Sequence, residues 1–156
     1  MTKQAWVSVH DYLSAQIAVA AGVDTLLVGD SLGMTVYGYA STREVPLEMM
    51  LRHVEPVRRG AGESAVPIVA DLPFGAYENA NAALKSAAAF RDIGINRLKL
   101  EGGNQILPQI EALIANGYQV VGHLGLLPQT AEAYRVVGRT EEKKKKLLQD
   151  AEALEQ

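Results

Sequence analysis

VPIVADLPFG (residues 66–75) is an apolar run that ends at an acidic residue, and the same pattern stands on either side of it. LLVGDSLGM (26–34) precedes it and INRLKLEGGN (95–104) follows it. Apolar runs without polar alternation are typical of strands buried on both faces of a parallel sheet. If the three runs are neighbouring parallel strands, Asp30, Asp71 and Glu101 meet at the carboxyl end of the sheet. A cluster of oxygen ligands there predicts a site for a hard cation and an active site.

Strands and helices alternate along the whole chain around these three runs. Strands are predicted at 5–9, 25–29, 66–70, 97–100 and 119–122. Helices are predicted at 14–21, 47–59, 79–92, 104–116 and 140–156, with a long loop at 31–46, a turn at 60–64 and an irregular segment at 123–139. Five strand–helix units in strict alternation indicate a parallel α/β fold in a single domain, residues 1–156.

Two parallel architectures compete, an open doubly wound sheet and a (β/α)8 TIM barrel. An open sheet collects ligands only at the crevice where its strand order reverses, whereas every strand end of a barrel opens onto one mouth. Acids after three consecutive strands therefore favour the barrel. A barrel has eight units in roughly 250 residues. We therefore expect about five of the eight units here, a chain that looks truncated, and unpaired first and fifth strands.

Composition excludes several classes of protein. The 156 residues contain no cysteine, so disulfides and thiolate metal sites are excluded. A net charge of −3 gives no sign of a nucleic-acid partner. No apolar run approaches the roughly 20 residues of a membrane span, and the N-terminus lacks a signal-peptide pattern. We therefore expect a cytoplasmic protein without a nucleic-acid or membrane partner.

Six motifs occur along the chain in a recognisable order: VGDSLGM, RRGAG, ADLPFGAY, KLEGG, GHLGLLPQ and YRVVGR. In this order they resemble the ketopantoate hydroxymethyltransferase (3-methyl-2-oxobutanoate hydroxymethyltransferase) family. The resemblance implies a barrel of the phosphoenolpyruvate/pyruvate superfamily that assembles as a homo-oligomer, often a decamer. It also implies transfer of a hydroxymethyl group from 5,10-methylenetetrahydrofolate to 3-methyl-2-oxobutanoate. The product would be 2-dehydropantoate, in pantothenate and coenzyme A biosynthesis, and Mg²⁺ would hold the keto acid.

The resemblance also assigns roles to single residues. The positions that match the family's metal site are Asp30, Asp71 and Glu101. The positions that match its keto-acid site are Asp30, Ser31, Asp71, Lys99 and His123. Lys99 and Glu101 are two residues apart on one strand, so both side chains point to the same face. The family's proton-abstracting glutamate lies on a sixth strand, so the resemblance places the base beyond Gln156 and leaves no certain catalytic residue.

Each of these residues also has a simpler interpretation. Asp30 with Ser31 could be a loop acid and a helix cap, and Asp71 could be a turn residue. Glu101 could lead a solvated turn, Lys99 could be a surface charge, and His123 could be a hydrogen-bonded core or wall histidine. Two functions besides the hydroxymethyltransferase also remain open. One is another superfamily lyase or mutase that acts on a Mg²⁺-bound 2-keto acid, and the other is a non-catalytic half-barrel fragment.

Overall fold

The computed structural model describes residues 3–155 and confirms the five predicted strand–helix units. The strands are β1 (Trp6–Ser8), β2 (Thr25–Val28), β3 (Ile68–Asp71), β4 (Arg97–Glu101) and β5 (Gln119–His123). The helices are α1 (Tyr12–Ala20), α2 (Leu32–Thr35), α3 (Leu47–Ala61), α4 (Ala80–Asp92), α5 (Leu107–Ala115) and α6 (Glu141–Glu155). No helix within residues 3–155 is both long and apolar enough to span a membrane.

All five strands are parallel, and they are ordered β1-β2-β3-β4-β5 across the sheet. The order follows the sequence without a reversal, as in a barrel, so the sheet formed by residues 3–155 has no switch point of the doubly wound kind. The registers place Asp71 opposite Lys99, and Glu101 opposite His123. Residues at the carboxyl ends of β3, β4 and β5 therefore lie side by side.

The main hydrophobic core lies between the sheet and the helices that cover it. Leu26 on β2 and Leu98 on β4 are both 0% exposed. From the helices, α3 contributes buried residues at helical spacing, Met50, Val54, Val57 and Ala61, and α4 contributes Phe90. This regular spacing gives α3 one apolar face, which packs against the sheet. The central strands are thus fixed in position by apolar burial.

The edge strand β1 contrasts with this buried centre. All three of its residues are exposed, and the Trp6 side chain is 41% accessible to solvent. Trp6 pairs with Thr25 at the start of β2, so it lies at the amino end of the strands, opposite the end that carries the acids. Within residues 3–155, β1 and β5 pair only with β2 and β4 respectively.

The predicted long loop at 31–46 was wrong in part, because it contains α2 and a 3₁₀ turn at Thr42–Glu44. These pieces are too short to produce a readable hydrophobic period. Glycine at position 33 allows the segment to pack closely, since a Cβ there would lie 2.4 Å from Cγ2 of Val45. The segment is therefore folded against itself beside the end of β2.

The predicted turn at 60–64 also begins later than expected, because α3 continues through Gly60 to Ala61. A Cβ on Gly60 would lie 2.3 Å from the carbonyl oxygen of Tyr12 in α1. Glycine at this position is therefore required for the close approach of α1 and α3. Gly62, with φ 58°, ends the helix instead.

Candidate active site

The three acids predicted to converge do lie together at the carboxyl end of the sheet. Asp71 and Glu101 are the last residues of β3 and β4, and Asp30 follows β2 after Gly29. All three are buried, with exposures of 3% for Asp30, 2% for Asp71 and 6% for Glu101. The backbone N–H of Asp30 donates a hydrogen bond to Oδ2 of Asp71 at 3.2 Å. The predicted convergence of the acids is therefore present in the fold.

Lys99 is the cation closest to this cluster. Its Nζ donates to Oδ1 of Asp71 at 2.6 Å, and its side chain is only 14% exposed. The pairing follows from the register, which places the two residues opposite each other on β3 and β4. Lys99 is therefore not a solvated surface charge.

His123 lies beside Glu101 at the end of β5. Its Nδ1 is 3.1 Å from Oε1 of Glu101, yet the geometry makes no hydrogen bond, and this buried nitrogen has no other partner among the described residues. The His123 side chain is 30% exposed. The histidine thus stands at the border between the buried acids and solvent, with Nδ1 buried and facing the Glu101 carboxylate.

Gln129, which the sequence patterns did not single out, completes the cluster. It lies in the irregular segment after β5, is 1% exposed, and donates from Nε2 to Oδ2 of Asp30 at 2.7 Å. Its backbone N–H donates to Oε2 of Glu101 at 3.0 Å. The Tyr77 hydroxyl donates to its side-chain oxygen at 2.5 Å. Gln129 and Tyr77 are the last residues of two motifs quoted above, GHLGLLPQ and ADLPFGAY. Both lie outside the helices and strands, so hydrophobic periodicity could not predict their positions.

The environment of Asp30 and Asp71 disfavours their charged forms. Burial, and secondly the neighbouring Asp71, raise the pKa of Asp30 to about 6, although the Gln129 hydrogen bond opposes the shift. Burial also raises the pKa of Asp71, against the effect of Lys99. Desolvation disfavours a charged carboxylate, and a neighbouring carboxylate adds to that cost. A bound cation would relieve both effects.

Ser31 does not cap the helix that follows Asp30. It occupies the N-cap position of α2, yet its side chain makes no capping hydrogen bond. The Asp30 carboxylate is bonded to Gln129 across the sheet end. The interpretation of Asp30 and Ser31 as a local cap therefore has no support in these contacts. Ser31 is exposed next to the buried acids.

Two carboxylates of this cluster match the oxygen ligands that Mg²⁺ commonly takes from a protein. Among residues 3–155, no three histidine, cysteine or carboxylate side chains form a group that could hold a metal by themselves. Glu101 is directed toward Gln129, and Asp71 also accepts from Lys99. Mg²⁺ commonly takes one or two protein carboxylates, with substrate and water completing its six oxygens. Asp30 and Asp71 match that requirement, and the role of Glu101 as a third metal residue stays a prediction.

Comparison with protein families and with relatives gives one consistent result. A family model described as ketopantoate hydroxymethyltransferase matches residues 1–156. A 3-methyl-2-oxobutanoate hydroxymethyltransferase from Ignicoccus hospitalis is 46% identical over 154 residues, which cover 96% of this chain and 58% of the relative. Proteins of the same name from Aeropyrum pernix and Thermus thermophilus are 47% and 44% identical, and the matches cover 95% and 97% of this chain. They cover 55% and 59% of those relatives, so the chain spans little more than half of their length.

Solved structures of similar shape confirm the barrel class. The 2,3-dimethylmalate lyase, a PEP mutase/isocitrate lyase superfamily member, gives a TM-score of 0.63 at 19% identity, covering 97% of this chain and 54% of that one. Phosphonopyruvate hydrolase, solved with oxalate and Mg²⁺, gives 0.62 at 16% identity, covering 76% and 46%. At these identities the likeness shows a shared fold, with about five of eight barrel units present here.

Proposed function

This chain belongs to the ketopantoate hydroxymethyltransferase family, and on that premise we propose that it forms the keto-acid and Mg²⁺ site of such an enzyme. The observation that carries the proposal is the buried pair Asp30 and Asp71 at the carboxyl end of the sheet, with Lys99 beside it. The reaction of the whole enzyme would be hydroxymethyl transfer from 5,10-methylenetetrahydrofolate to 3-methyl-2-oxobutanoate, giving 2-dehydropantoate. We place this reaction in the cytoplasm, as part of the same proposal.

The chemistry of the substrate matches this donor set. A 2-keto acid offers its keto oxygen and one carboxylate oxygen to a single cation, and the structural neighbour phosphonopyruvate hydrolase was solved with oxalate and Mg²⁺. Asp30 and Asp71 would hold Mg²⁺ through oxygen, the ligand type that it prefers. When bound, Mg²⁺ would polarise the keto group and lower the cost of removing the C3 proton.

The chain's own residues would bind and orient the keto acid. Lys99 offers an ammonium on a strand whose position is fixed by pairing on both sides, and it would offset the substrate carboxylate. The exposed hydroxyl of Ser31 would donate to that carboxylate. His123 would line the pocket wall, where its partly exposed ring can meet a ligand.

As a further part of the proposal, the C3 proton is removed by a glutamate on the family's sixth strand, which is not among the five strands described here. A base has to lie within hydrogen-bond reach of the proton that it removes. We assign no residue of this chain to that step. The folate co-substrate and assembly as a homo-oligomer are carried over from the family as further parts of the proposal.

Calorimetric titration of the 156-residue protein with 3-methyl-2-oxobutanoate tests the site. Binding is expected with Mg²⁺ and not with EDTA, while 3-methylbutanoate, which lacks the keto oxygen, should not bind in either case. NMR in D₂O should show no C3 exchange, since no residue described here is assigned as the base. Absence of Mg²⁺-dependent binding would overturn the proposed site, and C3 exchange would overturn the placement of the base.

Asp71→Asn separates the metal site from general effects of substitution. The amide keeps the shape and one acceptor oxygen but removes the charge, so Mg²⁺-dependent keto-acid binding should be lost. Asp92→Asn is the matched control, because Asp92 is an exposed residue at the end of α4 and should leave binding unchanged. Equal affinity in both variants would remove Asp71 from the site.

A further inference from the structure

Hydrogen bonds from the side chain and the backbone N–H of Gln129 connect it to residues at the ends of three strands. Its Nε2 donates to Oδ2 of Asp30 at 2.7 Å and to the carbonyl oxygen of Leu72 at 2.9 Å. Its backbone N–H donates to Glu101, and its carbonyl oxygen accepts from Nε of Arg43 at 2.7 Å. The segment that carries it therefore reaches β2, β3 and β4 together.

The partners fix the orientation of the Gln129 amide. The Leu72 carbonyl can only accept a hydrogen bond, so the amide nitrogen has to face it. The side-chain oxygen then faces Tyr77, whose hydroxyl donates its single hydrogen there and accepts from the Glu101 N–H at 3.3 Å. A flipped amide would place its oxygen against the Leu72 carbonyl and the Asp30 carboxylate. The amide consequently holds Asp30 in one orientation.

We propose that Gln129 is a positioning residue for the cation site, because it occupies Oδ2 of Asp30 and leaves Oδ1 for the metal. Within the described residues, no group donates a hydrogen bond to Oδ1 of Asp30. This inference rests on the proposed function, since it concerns the same Mg²⁺ site. It assigns a role to a residue 99 positions away from Asp30 in the sequence.

A neutral amide suits this role better than a charged side chain. A lysine at this position would bring a second ammonium to the cluster and compete with the cation for Asp30. A glutamate would add a further buried carboxylate and lack the hydrogens that Asp30 and Leu72 accept. The glutamine donates a hydrogen bond and leaves the negative charge of Asp30 available to the metal.

Gln129→Met tests the role, because methionine has a similar size but donates no hydrogen bond. The matched control is Gln109→Met, since Gln109 is also buried and its Nε2 donates only to backbone carbonyls, those of Tyr77 and Glu78. Mn²⁺ affinity is measured by electron paramagnetic resonance at a temperature where near-ultraviolet circular dichroism shows each variant folded. Residues that orient metal ligands typically contribute about 10–100-fold to metal affinity. We expect a loss of about that size in Gln129→Met and none in Gln109→Met.

Tyr77→Phe provides a second, milder variant. It keeps Gln129 and its packing but removes the hydrogen bond that orients the amide, so we expect a smaller loss of Mn²⁺ affinity. Unchanged affinity in Gln129→Met would overturn the inference alone, and so would equal losses in Gln129→Met and Gln109→Met. If Gln129→Met does not fold, unchanged affinity in Tyr77→Phe would overturn it. Failure of the unsubstituted chain to bind Mn²⁺ would overturn the proposed function, and the inference with it.

Discussion

Two parts of this molecule are held by different forces. In the sheet frame (residues 25–115) the buried residues are mostly apolar, and Leu98, Phe90 and Met50 are all 0% exposed. In the C-terminal segment (residues 124–155) the only buried residues are Gln129 and Asp150, and both are polar. Apolar burial is strong and has no direction, whereas a hydrogen bond is directional and adds only about 1 kcal/mol net. Directional hydrogen bonds therefore fix the position of the C-terminal segment but stabilise it only weakly.

Asp150 fixes the position of α6 through hydrogen bonds, as Gln129 fixes the position of the segment after β5. Its Oδ1 accepts from the backbone N–H of Asn104 at 3.1 Å and from Nδ2 of Asn104 at 2.8 Å. Lys146 donates to its other oxygen at 3.2 Å. A Cβ on Gly103 would lie 2.2 Å from Cγ of Asp150, so the contact requires glycine there. Leu154 adds a partly buried apolar contact.

Phe90→Ala should break the sheet frame and have the largest effect. The Phe90 side chain is fully buried in the core cluster, and removal of a buried phenylalanine typically costs about 3–5 kcal/mol. Urea unfolding followed by far-ultraviolet circular dichroism measures the change. Ile114→Ala is the control, because Ile114 is 57% exposed. Similar losses in the two variants would contradict the assignment of the core.

Asp30→Asn should stabilise the cation-free protein at neutral pH. The pKa of Asp30, raised to about 6 in the folded state, exceeds the value near 3.9 expected when unfolded. The folded protein then binds more protons between these values, so its unfolding free energy falls as pH rises from about 4 to about 6. Asparagine at position 30 does not titrate, so the variant avoids this decrease in unfolding free energy, which amounts to up to roughly 3 kcal/mol.

The measurement for Asp30→Asn is urea unfolding at a series of pH values from 4 to 8 in EDTA. Wild type should lose stability relative to the variant as pH rises, and the difference should shrink when Mg²⁺ is added. A difference that is constant with pH would contradict the raised pKa. Asp92→Asn, at an exposed position, should show no such trend.

Asp150→Ala should release α6 while leaving the sheet frame folded. It removes two hydrogen bonds from Asn104 to a carboxylate, and such bonds contribute roughly 1–3 kcal/mol in total. The backbone hydrogen bond from Asn104 also lowers the pKa of Asp150. Its stabilisation is therefore present above the unfolded pKa and is lost as pH falls through the folded value. Faster proteolysis within 141–155, with unchanged unfolding of the frame, is the expected result, and cooperative loss of the frame would contradict it.

Arg43→Met should have the smallest effect. It removes the Nε hydrogen bond to the Gln129 carbonyl, but Gln129 keeps its other partners, so we expect a loss of about 0.5–1 kcal/mol. Hydrogen exchange of amides in 124–139 is the sensitive measurement. Faster exchange there, without faster exchange in β3 or β4, would support the conclusion that the C-terminal segment is only weakly stabilised. Uniformly faster exchange would argue against it.

The sequence predicts the sheet frame better than the C-terminal segment for a physical reason. Strand-end acids such as Asp71 and Glu101 are placed by apolar runs immediately before them, so the local pattern carries their position. Gln129 is placed by hydrogen bonds to residues as far as 99 positions away, and no local period encodes that contact. The α2 turn, four residues long, is likewise too short to be read from periodicity. The predicted cluster of acids was found, but the residue that closes it was not predicted.

The exposed edge strand β1 gives the molecule a built-in optical reporter. Trp6 is the single tryptophan of the chain. It lies at the amino end of the strands, away from the acids, with its indole N–H donating to Gln4 at 3.1 Å. Its fluorescence emission should therefore be insensitive to a cation at Asp30 and should move to shorter wavelength when another surface covers β1. Its emission spectrum can thus report coverage of the sheet edge whether or not the site is filled.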